Sequence, residues 1–261
     1  MESTPTRAEM PALPPGKGSA SPSLMATRVT VLGKGRLGDA LGRLLIRKGF
    51  RVKFGSHSAE KLTASAVLAS SSESDSLMSA GVETLSMADA VACADIVFLA
   101  VPGSLAVELS VELFADAADC SMVLVDLTNP VAWKDGPCYM PPCEGSIPQA
   151  IMTRVPHLRV VKGFNTLALE QFLDPGFAGI AAECAVCSDD AGAKQLTMAL
   201  ARELGFQPVD FGGIHGAAAS EKKAIATWLE FRKTNRCPVR PAHKSPRLMS
   251  EPVPGSDSPL G

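Results

Sequence analysis

The apolar positions of this chain fall into short runs, separated by glycine, proline and polar clusters, and their period changes from run to run. Val29, Val31 and Leu32 open the pattern as a short β-rich run. Leu37, Ala40, Leu41, Leu44 and Leu45 then recur at helical spacing until Gly49 supplies a C-terminal stop. A second strand is predicted at 52–54, and the serine-rich stretch 61–79 reads as a frayed helix followed by a loop. A short strand at 82–85 precedes Ser86 and Asp89, which have capping-box spacing for another helix. Ile96–Val101 is a continuous apolar run of the kind buried on both faces of a parallel sheet, and Met122–Leu127 reads as another such strand. Between them Pro102-Gly103-Ser104 leads into a helix through about Phe114. Residues 130–148, with their many prolines, read as a loop.

Farther on, a helix is predicted at about 146–154, and a strand from Leu158 ends in the polar tip Phe164-Asn165-Thr166. Strands at 183–187 and 207–211 flank a helix at 190–204, and one more helix is placed at 220–233. Strands alternating with helices imply an α/β fold: a doubly wound, mostly parallel sheet of Rossmann type.

Between the first strand and its helix stands Gly33-x-Gly35-x-x-Gly38. The first glycine permits a tight turn, the second lets the backbone approach a pyrophosphate, and the third allows close helix packing. The phosphate would meet the positive N-terminus of the helix. Gly33, Lys34, Gly35, Arg36, Leu37 and Gly38 are therefore candidate cofactor-binding residues. The end of the second strand decides which dinucleotide is held. An NAD enzyme usually places a carboxylate there for the ribose 2′-hydroxyl. This chain has Gly55-Ser56-His57-Ser58 instead, with Lys53 and Lys61 nearby. Ser56, His57, Ser58 and Lys61 suit a 2′-phosphate, which favours NADP over NAD.

In open α/β sheets, ligands lie outside the carboxyl ends of the strands. Val101-Pro102, Thr128-Asn129-Pro130 and Phe164-Asn165-Thr166 are polar or proline-marked tips of that kind. Asn129 and Asn165 are the candidate catalytic residues, because an amide can both donate to and accept from a carboxamide or ring edge. The same asparagines could serve only as turn formers.

Composition narrows the field. Net charge is −2, so no general attraction to nucleic acid is implied, and no apolar stretch approaches the roughly 20 residues of a membrane span. Residues 1–27, with five prolines before Ala26 and no apolar signal core, read as a disordered leader. Seven cysteines without a secretion signal favour reduced thiols and a cytoplasmic location. Cys184 and Cys187 sit three apart on a predicted strand, which suits structural thiols better than a metal half-site; no metal site is expected.

Five motifs in order carry a resemblance: Val31–Gly38, Phe54–Ser58, Val125–Pro130, Val160–Thr166 and Gly205–Gly212. Together they resemble the NADP-oxidoreductase module of the STEAP metalloreductases and the related deazaflavin-dependent NADP reductases, over about Arg28 to Gly213. The resemblance implies hydride transfer between NADPH and a flavin or deazaflavin, FAD or FMN being possible partners. It would place the pyrophosphate on Gly33–Gly38 and the 2′-phosphate on Ser56, His57 and Ser58. Asn129, Pro130 and Asn165 would line the nicotinamide–flavin pocket. Two departures stand out: His57 replaces the family's usual arginine, and the haem-bearing membrane helices of STEAP proteins have no counterpart here.

The expected organisation is a leader (1–27), an NADP-binding oxidoreductase domain (28–213), and a short helix with a disordered basic tail (214–261). From Glu221 onward eight Lys/Arg face four Asp/Glu, net +4. A small-molecule acceptor and a homodimer are compatible with this reading. Two other functions are weighed beside it. One is a catalytically silent NADP-binding regulatory module. The other is an imine or carbonyl reductase of the pyrroline-carboxylate reductase type, for which the 48 residues after Gly213 provide too little second domain.

Overall fold

A computed structural model describes residues 22–57, 83–92, 94–117, 121–134, 136–176 and 181–234. Ten strands are assigned among them: β1 (Arg28–Leu32), β2 (Arg51–Gly55), β3 (Glu83–Leu85), β4 (Ile96–Leu99), β5 (Val123–Asp126), β6 (Val131–Lys134), β7 (Gly136–Tyr139), β8 (Arg159–Gly163), β9 (Glu183–Cys187) and β10 (Gln207–Asp210). Eight helices join them: α1 (Pro22–Met25), α2 (Arg36–Arg47), α3 (Met87–Val91), α4 (Gly103–Phe114), α5 (Ile147–Arg154), α6 (Leu169–Leu173), α7 (Ala191–Glu203) and α8 (Gly216–Thr234). Eight strands form one sheet in the order β10-β9-β8-β5-β4-β1-β2-β3. Every neighbouring pair is parallel except β8 and β9. The expected doubly wound α/β sheet is therefore present.

Strand alternation assigns the two faces. Val29 and Val31 of β1, Phe98 of β4, Val125 of β5 and Val161 of β8 point to a core shared with Leu41, Leu44 and Leu45 of α2 and Leu200 of α7. Leu32, Val97, Leu124 and Val160 point the other way, against Leu109 and Phe114 of α4 and Ile151 of α5. The central strands β1, β4, β5 and β8 are thus covered on both sides, and their runs are mostly apolar.

Helix caps follow the sequence closely. The Ser86 hydroxyl accepts from the Asp89 N–H (3.1 Å), the Ser146 hydroxyl from the Gln149 N–H (3.4 Å), and the Asp190 carboxylate from the Ala193 N–H (2.8 Å). Asp190 also holds Arg159 through two bonds, at 2.6 and 3.0 Å, and the guanidinium pulls its pKa down to about 2.

Three expectations need revision. Residues 130–148 are not all loop: β6 and β7 pair antiparallel there as a separate hairpin. Residues 22–25, assigned to the leader, form a helical turn whose Leu24 and Met25 pack on the core. The last helix starts at Gly216 rather than at about 220. The hairpin leans on α8, where Trp133 and Trp228 meet edge to face with ring centres 5.5 Å apart.

Candidate functional site

The glycine turn lies between the carboxyl ends of β1 and β4. Gly33 adopts φ +100°, a conformation that disfavours side chains, and a Cβ there would stand 2.4 Å from the Ala100 carbonyl oxygen. A Cβ on Gly38 would lie 2.0 Å from the Gly33 oxygen, so this glycine lets α2 settle on the turn itself, more than on the strand before it. Gly35 differs. A Cβ there would meet nothing within 4 Å, and no side chain caps the helix it begins. The N–H groups of the first turn of α2 therefore stand behind open space, a cradle that suits a pyrophosphate.

Arg36 is the exposed first residue of α2, and Leu37 is partly buried against the core. Lys34 reaches sideways: its ammonium lies 5.6 Å from the centre of the Phe54 ring and donates to the Thr84 hydroxyl at 3.3 Å. It thus stands over the ends of β2 and β3, beside the strand that Ser56 and His57 follow. Lys53 instead pairs with Glu83 (3.2 Å). Ser58 and Lys61 lie outside the described residues, as does the stretch 61–79.

The remaining tips converge on the other side of the turn. Val101 Cγ1 lies 3.2 Å from the position a Gly33 side chain would take, and Pro102 precedes α4. Gly103 lies so near the β5 tip that a Cβ there would stand 2.1 Å from the Asn129 carbonyl oxygen. Pro130 is buried, and its carbonyl accepts from the Met140 N–H. Asn129 and Asn165 meet directly: Asn129 Nδ2 donates to the Asn165 carbonyl (3.0 Å), and Asn165 Nδ2 donates to Asn129 Oδ1 (2.9 Å). Phe164, just before Asn165, holds φ +61°, unusual for a bulky residue. Its buried ring is packed by Phe98, Phe172 and Phe206, which keep the backbone in place. Thr166 Oγ1, next in the chain, is buried and has no protein partner.

Beneath this pair lies a charged cluster that sequence reasoning missed. Lys162 and Asp126 are register partners on β8 and β5, and both side chains are fully buried. The Lys162 ammonium donates to Asp126 (2.8 Å), to Glu221 of α8 (2.9 Å) and to the Thr128 carbonyl (2.5 Å). Burial works against its charge, but the two carboxylates outweigh burial and raise its pKa. Glu221 also accepts from the Ile147 N–H (3.2 Å) and the Tyr139 hydroxyl (3.4 Å). Burial pushes Glu221 up, and burial together with Glu221 pushes Tyr139 up to about 12. Next to Glu221, Ser220 donates to Asn165 Oδ1 at 2.7 Å. A signal for part of this existed. Asp126 and Lys162 each interrupt an apolar run at equivalent depth, and unpaired charges there demand each other.

The thiols of Cys184 and Cys187 are buried in β9, and burial raises both to about 12, which makes them packing groups. Among the described residues no cluster of three or more His, Cys, Asp or Glu is placed to hold a metal ion. Nor is any helix among them long and apolar enough to cross a membrane.

This geometry agrees with comparisons to known proteins. Residues 28–130 match the family model for NADP oxidoreductases dependent on coenzyme F420. A solved protein of Arthrobacter sp. FB24, assigned as an F420-dependent NADP-reductase, is 25% identical with a TM-score of 0.67; the match covers 80% of this chain and 95% of that one. A hypothetical protein of Sinorhizobium meliloti (23% identity, TM-score 0.59, 74% and 88% covered) shares the fold. So does an imine reductase of Aspergillus terreus solved with NADPH4 (13% identity, TM-score 0.55), of which this chain spans 63%. These matches support an NADP-dependent oxidoreductase on a Rossmann-type sheet. They correspond to the deazaflavin-linked part of the sequence resemblance, not to STEAP proteins in particular, and the acceptor varies among the neighbours.

Proposed function

We propose that this chain is an NADPH-dependent oxidoreductase that passes a hydride to a flavin-type acceptor, a deazaflavin included. One observation carries the reading. The open face of Gly35 at the start of α2 and the Asn129–Asn165 pair lie along the same carboxyl edge of the parallel strands, as the two ends of an extended dinucleotide require. In this reading the first-turn N–H groups of α2 hold the pyrophosphate. Lys34, Ser56 and His57, with Ser58 and Lys61, meet the 2′-phosphate. Residues 55–58, at the end of β2, contain no carboxylate to repel it. Asn129 and Asn165 orient the nicotinamide carboxamide, and Val101, Pro102 and Pro130 shape the crevice beside them. When bound, NADPH supplies the hydride from its nicotinamide ring. Such a transfer needs stacked, oriented rings more than a side-chain acid, so the protein's task is alignment and exclusion of water.

The test is direct. NADPH and NADH are titrated into the full chain by calorimetry, and bleaching of added FAD, FMN or a deazaflavin is then followed. Tighter binding of NADPH together with bleaching supports the reading. No heat at millimolar NADPH overturns it. Binding without bleaching of any of the three overturns the flavin-type acceptor, and tight NADP binding with no turnover at all supports the silent NADP-binding module.

A further inference from the structure

The hydrogen bonds around the asparagine pair have a fixed direction. The Asn165 backbone carbonyl can only accept, so Asn129 must turn Nδ2 toward it (3.0 Å). Asn129 Oδ1 is then left facing Asn165, which must answer with its own Nδ2 (2.9 Å). Asn165 Oδ1 consequently lies on the far side, where the Ser220 hydroxyl donates to it (2.7 Å). Each amide nitrogen has used one of its two hydrogens, and each retains the other.

Ser220 is fully buried and belongs to α8, outside the stretch 28–130 that matches the oxidoreductase family model. Its neighbour Glu221 accepts from Lys162, Ile147 and Tyr139, which sets this turn of the helix at the tip of β8. The hydroxyl is therefore held in one place, at the end of a three-member chain whose other end is an obligate acceptor.

We propose that Ser220 is a positioning residue. Through its bond to Asn165 Oδ1 it anchors the asparagine pair, whose donor polarity the Asn165 carbonyl sets, in the place where both amides present N–H groups to the carboxamide oxygen of the nicotinamide. This rests on the NADPH reading above. Helix α8 is then part of the cofactor site although it touches no cofactor.

Two ligands separate this role from a structural one: NADPH, and 2′,5′-ADP, which has the adenine-side phosphates but no nicotinamide. With the full chain, Ser220→Ala is expected to weaken NADPH binding by about 5- to 10-fold while 2′,5′-ADP changes by less than about twofold. Ser220→Thr, which keeps the hydroxyl, is expected to restore NADPH affinity. Asn165→Asp, which replaces the donating nitrogen by an acceptor, is expected to lower NADPH affinity at least as much and again to spare 2′,5′-ADP. Equal weakening of both ligands by Ser220→Ala, no weakening of either, or a threonine variant that behaves like alanine overturns the proposal. A wild-type chain that binds neither ligand overturns the NADPH reading itself, a separate and recognisable outcome.

Discussion

The two ends of the site are built in opposite ways. At the end proposed to hold the pyrophosphate everything is local. Three glycines within six residues shape a turn, and the groups that would bind are backbone N–H groups at the start of α2. At the end proposed to hold the nicotinamide nothing is local. Asn129, Asn165 and Ser220 come from three separate elements, and they stand on a buried cluster contributed by β5, β8 and α8. The first end is specified by conformation and open space, the second by mutual satisfaction of buried and half-buried polar groups. Binding and stability should therefore come apart at the first end and move together at the second.

The largest expected effect lies at the first end. Gly35→Val fills the space the backbone leaves for a ligand, so NADPH binding should vanish in calorimetry. Because Gly35 has extended backbone and no neighbour within 4 Å, the melting temperature should move by no more than about 4 °C. A large drop in melting temperature would erase the contrast. Next comes Lys162→Met at the second end. It leaves Asp126 and Glu221 buried without their cation and should cost about 3–5 kcal/mol in urea unfolding. Adding Glu221→Gln should recover part of that loss, since one of the stranded charges is removed.

A smaller effect sharpens the first end further. His57→Asp should raise the dissociation constant for NADP far more than that for NAD; an equal rise would remove the 2′-phosphate from this turn. The smallest effect is a control away from both ends. The Asp190 pKa is depressed to about 2 by Arg159, so its contribution to stability is full above its ordinary value of 3.8 and fades as pH falls through about 2. Asp190→Asn should accordingly be less stable than wild type at pH 5, and the gap should shrink markedly by pH 2 in a thermal melt.

The same contrast explains how much could be read from the residues alone. β1, β4, β5 and β9 are short apolar runs bounded by turn residues, and the Gly33–Gly38 turn is a contiguous motif. Local chemistry of that kind is visible in one dimension. The β6–β7 hairpin escaped notice because Pro130, Pro137, Pro141 and Pro142 outweigh Asp135-Gly136, a hairpin dipeptide. Asn129 and Asn165 could be nominated singly, as tips of apolar strands, but their contact is a product of strand order. Glu221 was out of reach. It lies 59 positions beyond Lys162, in a helix whose start was placed at about 220, and nothing near it marks a buried carboxylate.

The outermost strand has a consequence of its own. Gln207 and Phe211 direct their N–H groups inward, to Ala182 and Val186, so by alternation residues 208 and 210 face away from the sheet. Residue 208 is proline and offers no hydrogen, and Asp210 lends its carboxylate to Lys194 (3.0 Å). A foreign strand laid against this border would find a single amide hydrogen along four residues. The border is a poor template for growth, and a second molecule cannot readily continue the sheet through it.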